Sequence, residues 1–394
     1  MNRLNFLFIF VFILNLLNLT LKYKLYPITI QGNNLIWSTD DNSEFICAFN
    51  EKLEGKKIWK LYNINENLNL TILRNIDLPP KWSKSGKKIV ATEKNNIYIL
   101  TSPVDKINLK TITENILHFD INNLENKILY SDRLKIYLLD INENKNSFVT
   151  YGQYPFYINN DKNIIFLNEN NKLSMLDNEL NSKIIIDDYV NKYLPFKDKN
   201  GFIFQDNELN KLKLFDLDFN KIITIIDEDN EITDFSVSQD ENFVIYIVNN
   251  SKLFIAHIPT KLKVLILSNN NIFSPAISKD NKYYSYEKNE KIFIDYAEKF
   301  INAFELDKIF KINIGSKHGL TLQDKVEVYE ERRNLEGKII GMDYNKFKGV
   351  LKILAIYDDY SFAKLDEEFK TNFKIELDDI AYFKANDVMG IISK

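Results

Sequence analysis

The sequence predicts an all-β protein, built as a β-propeller of about seven blades with a small C-terminal β-barrel. Three observations predict this fold. A pattern recurs about seven times at a period of about 40 residues, short strands rich in Ile, Tyr and Phe fill each copy, and the pattern stops near residue 300. Asparagine clusters at the expected turns, where it can replace the scarce glycine because it tolerates left-handed conformations.

An apolar N-terminal segment precedes the repeats. Residues 4–21 are almost wholly apolar, with Arg3 before them and Lys22 and Lys24 after them. As a helix this segment spans about 27 Å, near the lower limit for crossing a bilayer. The charged start and apolar centre are typical of an export signal, although no small-residue cleavage site follows. We therefore expect residues 1–24 to be a signal peptide or a membrane anchor; a buried core helix is the alternative.

Prolines mark the repeat period. Pro80, Pro155, Pro195 and Pro275 are separated by 75, 40 and 80 residues, or two, one and two repeats. Each copy combines a short first strand, a polar turn, two apolar strands and a weaker fourth strand, which is the composition of one propeller blade. A blade cannot bury both of its faces alone, so we expect the copies to close into a ring over residues 26–300.

The clearest copies share a serine-containing turn. They read Trp-Ser-Lys-Ser-Gly-Lys-Lys-Ile at 82–89 and Ile-Ser-Lys-Asp-Asn-Lys at 277–282. This pattern resembles the repeat of the TolB family of propellers, although three central copies match it less well. Propellers with this motif have unrelated functions, so the resemblance implies a fold and not an activity.

A second module occupies residues 305–394. Its most distinctive stretch is INIGSKHGLTLQDKVEVY at 312–329, where Gly315 and Gly319 stand at expected sharp turns before an alternating strand. We expect five or six short strands in a small barrel. The stretch resembles the C-terminal domain of the flagellar FlgT family and the barrel of the MreC cell-shape family, although Gln323 stands where those families carry Gly. The resemblance implies an envelope-associated, protein-binding module.

The composition leaves little material for chemistry. The 51 Lys and Arg residues and 55 Asp and Glu residues give a net charge of −4, so no basic field attracts nucleic acid. Cys47 is the single cysteine, which excludes an internal disulfide framework and a cysteine-based zinc site, and there are three histidines. The nucleophile motif Gly-x-Ser-x-Gly is absent. The sequence therefore predicts a non-enzymatic protein without a cofactor or metal.

Two groups of residues are candidate protein-binding sites. Aromatic residues before the first strands of neighbouring blades would border one mouth of the channel, and exposed aromatic residues mark binding surfaces. These candidates are Tyr151, Tyr154, Phe156, Tyr157, Tyr193 and Phe196. In the barrel the candidates are Lys317, His318, Glu330, Arg332 and Arg333. The alternatives are packing between blades for the aromatic residues and solvated turns for the charged ones.

These features predict an exported adaptor or scaffold of the bacterial cell envelope. We expect it in the periplasm, either soluble or anchored to the inner membrane through residues 4–21. Its partners would be envelope or membrane-associated proteins, with flagellar or peptidoglycan-linked assemblies indicated by the resemblance of the barrel; nucleic acid is not expected. The alternative function is a binding module for a small molecule, glycan or metal in the propeller channel.

Overall fold

A computed structural model shows a β-propeller followed by a small closed β-barrel. It describes residues 28–31, 35–37, 45–46, 50–53, 56–63, 68–74, 78–93, 96–100, 106–111, 116–177, 179–196, 199–366 and 374–393. The all-β fold class is therefore confirmed. The apolar segment 4–21 lies outside the described residues, and within them no helix has the length and apolar character to span a membrane.

The first described strand closes the ring of blades. β1 (Ile28–Gln31) pairs antiparallel with the strand Lys291–Tyr296 of the last blade, with Ile28 opposite Ile294. The last blade thus takes its outermost strand from the other end of the propeller sequence. This pairing joins the two ends of the ring by main-chain hydrogen bonds.

The next sheet differs from the others. It comprises β2 (Phe45–Ile46), β3 (Asn50–Leu53), β4 (Lys56–Asn63) and β5 (Leu68–Arg74). β2 and β3 both pair with one edge of β4, and β5 pairs with its other edge, so β2 and β3 together occupy the place of one edge strand.

Six further sheets have the regular order of a propeller blade, with four antiparallel strands running outward from the channel. Their strands are β6 (Lys81–Trp82), β7 (Ile89–Glu93), β8 (Asn96–Leu100) and β9 (Lys106–Thr111); β10 (His118–Ile121), β11 (Lys127–Ser131), β12 (Lys135–Asp140) and β13 (Lys145–Tyr151); β14 (Gln153–Ile158), β15 (Asn163–Leu167), β16 (Lys172–Leu176) and β17 (Ser182–Tyr189); β18 (Lys192–Pro195), β19 (Gly201–Gln205), β20 (Lys211–Asp216) and β21 (Lys221–Asp227); β22 (Ile232–Val237), β23 (Phe243–Val248), β24 (Lys252–His257) and β25 (Lys263–Ser268); and β26 (Phe273–Ile277), β27 (Tyr283–Lys288) and β28 (Lys291–Tyr296) with β1. The described part of the chain thus has six regular blades and one irregular sheet.

A repeated turn explains the serine of the sequence motif. After β22, the buried Ser238 Oγ accepts a hydrogen bond of 2.9 Å from the backbone N–H of Phe243. After β26, Ser278 accepts an equivalent bond of 2.9 Å from Tyr283. Since a buried N–H without a partner is costly, the serine stabilises the turn from the first to the second strand of a blade.

Acidic side chains join neighbouring blades at these turns. In three places a carboxylate of one blade accepts the backbone N–H of the preceding blade: Glu125 from Ser85 (3.0 Å), Asp161 from Asn123 (2.7 Å) and Glu241 from Lys199 (2.7 Å). Hydrogen bonds to an ionised acceptor are stronger than neutral ones. The acidic residues of the turns therefore contribute to packing between blades.

The C-terminal barrel contains β29 (Ile309–Ile312), β30 (Lys325–Arg333), β31 (Ile339–Ile356), β32 (Ser361–Leu365), β33 (Ile380–Phe383) and β34 (Val388–Ser393). Its closed order is β29-β32-β31-β30-β33-β34. Only residues 327–329 of β30 pair with β33, and only residues 351–356 of β31 pair with β32. The rest of β30 and β31 therefore extends as a two-stranded ribbon, which we call the barrel ribbon (residues 330–347).

A short connection packs the barrel against the propeller. It contains α1 (Glu298–Asn302) and a 3-10 turn at Leu306–Lys308. Between them, Phe304 contacts the rings of Phe243 and His257, with centroids 6.0 and 6.3 Å away. From the barrel, the Tyr357 hydroxyl donates a hydrogen bond of 2.7 Å to the carbonyl of Pro259, between β24 and β25.

Candidate ligand site in the propeller channel

A cavity of about 350 Å³ lies in the channel, where the inner segments of the sheets converge. Its apolar lining consists of Leu35, Ile36, Trp37, Trp82, Phe156, Leu194, Pro195, Val237, Ala276 and Ile277. Its polar lining consists of Lys81, Lys84, Asp120, Ser236, Ser238, Gln239, Glu241 and Lys279. This combination of an apolar surface and a few polar groups is typical of small-molecule sites.

Buried contacts hold the aromatic wall in place. The Trp37 indole N–H donates a hydrogen bond of 3.2 Å to Ser285 Oγ on β27. The same ring stacks on Tyr283, with centroids 6.0 Å apart and planes inclined by 8°. Since Trp37 is buried by these contacts, it presents a rigid surface to the cavity.

Lys81, on the innermost strand β6, is held by two side chains of the neighbouring blade. Its Nζ lies 3.1 Å from His118 Nε2, 3.5 Å from Asp120 Oδ1 and 4.5 Å from the ring centroid of Phe156. Burial, and then the charge of Lys81, lower the pKa of His118 well below its ordinary value. The imidazole is therefore neutral and accepts a hydrogen bond from the ammonium group. Because the Lys81 side chain remains 27% exposed, it presents a positive charge to the cavity.

Both carboxylates of the cavity are engaged by donors of the protein. Asp120 is 1% exposed, and besides its contact with Lys81 it accepts the backbone N–H of Tyr157 at 3.0 Å. Glu241 accepts the backbone N–H of Lys199 at 2.7 Å. Three lysines and two carboxylates line the same space. The electrostatic balance therefore favours an anionic ligand.

The six aromatic residues predicted to form a rim lie in different environments in the structure. Phe156 lines the cavity, while Tyr151 and Tyr154 are 53% and 42% exposed outside it. The other three candidates, Tyr157, Tyr193 and Phe196, are buried. Packing between blades removes them from the surface: the Tyr193 hydroxyl, for example, donates a hydrogen bond to the carbonyl of Tyr154 on the preceding blade. Protein binding at the exposed members stays a prediction.

The predicted barrel residues lie on two segments. Lys317 and His318 are in the 3-10 turn before β30, where Lys317 pairs with Asp359 at 3.0 Å and His318 Nδ1 accepts the N–H of Gly315 at 3.0 Å. The others lie on the barrel ribbon: Glu330 pairs with Lys346, Arg333 pairs with Asp378 at 2.9 Å, and Arg332 is exposed. Their proposed role as an interface stays a prediction.

Sequence reasoning missed most of the cavity. Trp37, Asp120 and Lys279 come from three different copies of the repeat, and no single copy shows that these side chains meet. The available signal was the position after the motif serine, which is occupied by Lys84 in one copy and Lys279 in another. Most of the predicted aromatic residues were expected on loops before the inner strands and lie within those strands, whereas these lysines stand on turns after the inner strands.

The fold is shared with proteins of known structure. No protein-family model matches the chain, and no curated protein matches it significantly. Among solved structures, 1629 chains match, so the fold is common and does not specify a function. One is oligogalacturonate lyase in complex with manganese, with a TM-score of 0.58 and 8% sequence identity over 70% of this chain and 97% of the other. Among the described residues, no group of three or more His, Cys, Asp or Glu side chains could hold a metal ion.

This likeness corrects one prediction. The expectation of a non-enzymatic protein is contradicted, because a propeller of the same fold is an enzyme. The absence of a nucleophile motif does not exclude an active site, since residues that meet in a propeller channel come from separate repeats and need no local motif. The comparison supports the TolB-like propeller fold, and the geometry of the channel identifies the candidate site.

Proposed function

We propose that the protein binds an acidic ligand in the propeller channel. The observation that carries this proposal is a cavity in which three lysines outnumber two carboxylates beside an aromatic wall. The ammonium group of Lys81 supplies an anchoring charge, and Trp37, Trp82 and Phe156 supply apolar surface for the body of the ligand. Ligand sites commonly combine these two elements.

Acidic sugars are the ligand class that best fits these groups. A uronate offers a carboxylate to the lysines and an apolar ring face to the aromatic side chains. The lyase with the same fold is named for an acidic oligosaccharide, oligogalacturonate. At 8% identity that likeness supports the fold alone, so the proposed ligand class depends on the chemistry of the cavity.

The test is calorimetric titration of the purified protein with galacturonate, glucuronate and the neutral sugar galactose. We expect both acids to bind and galactose to bind at least about tenfold more weakly, since it carries no charge for the lysines to attract. Lys81→Met should weaken binding of the acids. Equal binding of galactose, failure of both acids to bind, or an unchanged affinity in Lys81→Met would overturn the proposal. Spectroscopic observation of each bound sugar over time determines whether it is converted.

A second candidate function is that of an exported envelope adaptor, and one observation favours it. The barrel ribbon and its tip expose Leu335 completely, Tyr344 to 67% and Ile340 to 59%. Exposed apolar residues on a projecting element mark protein-binding surfaces. We propose envelope or membrane-associated proteins as the partners, in agreement with the resemblance of the barrel to the FlgT and MreC families.

This second candidate is tested by crosslinking in intact cells and identifying the recovered proteins. The variant Leu335→Asp/Ile340→Asp should lose the envelope partners recovered with the unmodified protein. Leu124→Asp is the matched control, because Leu124 is 77% exposed on the propeller. Recovery of no envelope protein would refute the adaptor role, and unchanged recovery with the ribbon variant would refute the ribbon as its docking surface.

A further inference from the structure

We infer that the channel ligand carries hydroxyl groups, and that Ser236 and Gln239 of the blade that begins with β22 recognise them. Both residues line the channel cavity. This inference rests on the proposed acid-binding function and names the residues that make the site selective for a hydroxylated acid.

The same three positions of the repeat line the cavity in three blades. Counted from the buried turn serine (Ser83, Ser238 or Ser278), they are the second residue before it, the residue directly before it and the residue directly after it. The lining residues at these positions are Lys81, Trp82 and Lys84; Ser236, Val237 and Gln239; and Ala276, Ile277 and Lys279. The middle position is apolar in every copy, so the other two positions determine the polar groups that each blade presents to the cavity.

The backbone makes these positions structurally equivalent. In each of the three turns, the serine N–H donates to the carbonyl of the residue five positions later at 2.9 Å, and the N–H of the third residue after the serine donates to the serine carbonyl at 3.0 Å. The inner strands also share one register, since Lys81 pairs with Val90 and Ser236 pairs with Ile245, each seven residues after its turn serine. Ser236 and Gln239 therefore occupy the places that Lys81 and Lys84 hold in the blade that begins with β6.

The fold does not use the side chains of Ser236 and Gln239. Within the part of the chain that the structure describes, neither makes a hydrogen bond or an ion pair to the protein, and both are half-buried. Ser238 between them differs, because its Oγ accepts the N–H of Phe243 and donates to the carboxylate of Asp240. Since polar groups removed from bulk water require hydrogen-bond partners, Ser236 and Gln239 are available to a ligand.

The chemistry of these two side chains matches ligand hydroxyl groups. A serine hydroxyl and a glutamine carboxamide both donate and accept hydrogen bonds, as a sugar hydroxyl does, whereas a lysine ammonium group only donates. Ser236 and Gln239 are three residues apart in the sequence. Because an extended chain rises by about 3.3 Å per residue, their backbones are at most about 10 Å apart, so both can contact one small ligand.

The β22 blade is well separated from Lys81 around the ring. Three blades, which begin with β10, β14 and β18, stand between it and the β6 blade along the chain. In a closed ring of this size, the two blades therefore contribute to different parts of the cavity wall. An acid that is held by its carboxylate at Lys81 extends its other groups towards Ser236 and Gln239.

The test compares galacturonate with tetrahydropyran-2-carboxylate, which has the same ring and carboxylate but no hydroxyl groups. In calorimetric titration we expect the unmodified protein to bind galacturonate at least about tenfold more tightly, because its hydroxyls form additional hydrogen bonds. The double variant Ser236→Ala/Gln239→Leu should lose this preference and bind tetrahydropyran-2-carboxylate at least as tightly as the unmodified protein does. The matched control is Ser182→Ala/Gln323→Leu, which changes an exposed serine and an exposed glutamine outside the cavity.

The outcomes separate this inference from the proposed function. Equal affinity of the unmodified protein for the two acids, or an unchanged preference in Ser236→Ala/Gln239→Leu, overturns the inference while acid binding stands. Equal weakening of both acids in that variant, or loss of the preference in the control, also overturns it, because the effect would not be specific to contacts with hydroxyls. Failure of the unmodified protein to bind either acid overturns the inference, and the glucuronate titration then decides the proposed function on its own.

Discussion

Replacing Asp120 with asparagine should change stability and ligand affinity in opposite directions. Asp120 Oδ1 lies 3.5 Å from Lys81 Nζ, and Oδ2 accepts the N–H of Tyr157 at 3.0 Å. The amide oxygen of asparagine can keep the bond to Tyr157, so the main loss is the ion pair. Coulomb's law gives about 5 kcal/mol at this distance with an effective dielectric constant of about 20. The 27% exposure of Lys81 reduces the expected loss in unfolding free energy to about 1–2 kcal/mol.

The same substitution removes a negative charge from the ligand cavity. Asp120 repels an acid bound at Lys81, so Asp120→Asn should tighten binding of galacturonate by about 1 kcal/mol, or about fivefold. Urea denaturation measures the loss of stability, and calorimetric titration measures the gain in affinity. The control is Asp161→Asn, since Asp161 also accepts a backbone N–H from a neighbouring blade but does not line the cavity. A parallel loss of stability and affinity in Asp120→Asn would refute the reasoning and identify Asp120 as a positioning residue for Lys81.

Three further predictions concern stability. Burial lowers the pKa of His257 to about 4, so the unfolded state takes up an extra proton below about pH 6.5. The unfolding free energy should therefore fall by about 3 kcal/mol towards pH 4. Urea denaturation across this pH range should show a smaller fall in the His257→Gln variant. Lys348→Met should cost about 3–5 kcal/mol, because it leaves the buried Asp379 carboxylate, 2.8 Å from Lys348 Nζ, without its cation; a loss below 1 kcal/mol in urea denaturation would contradict this. Tyr357→Phe should cost about 1 kcal/mol by removing the bond to Pro259 and should speed proteolysis between propeller and barrel, with no change expected in channel binding.

Local patterns made the fold predictable. The strands, the turn serines and the asparagine-rich turns depend on contacts within one repeat, such as the bond from Phe243 to Ser238 five residues earlier. The closed barrel was predictable for the same reason, since alternating strands and the glycine turns around Gly315 and Gly319 are local features. The irregularity of the sheet formed by β2–β5 was not predicted. The repeat pattern is still recognisable in this part of the sequence, so the pattern does not reveal that the edge strand is interrupted.

The candidate site was much less predictable. The aromatic residues in and beside β14 and β18 have the composition of a binding rim, but Tyr157 and Tyr193 are buried by the neighbouring blades. A sequence pattern shows that a side chain is aromatic and near a turn, but it does not show how closely two blades pack. The prediction of a non-enzymatic protein was wrong for a related reason. It depended on the absence of a local motif, whereas this fold assembles its channel from residues that are distant in the sequence.

The sequence by itself determined the blades and the barrel, because their strands and turns are specified by interactions within about 40 residues. Only the tertiary structure decided the contents of the channel. Closure of the ring brings Trp37 to Ser285, 248 positions later, and sets Lys81 against Asp120 of the next blade. The physical reason is that burial and charge pairing in the channel depend on contacts between repeats, and no single repeat contains them.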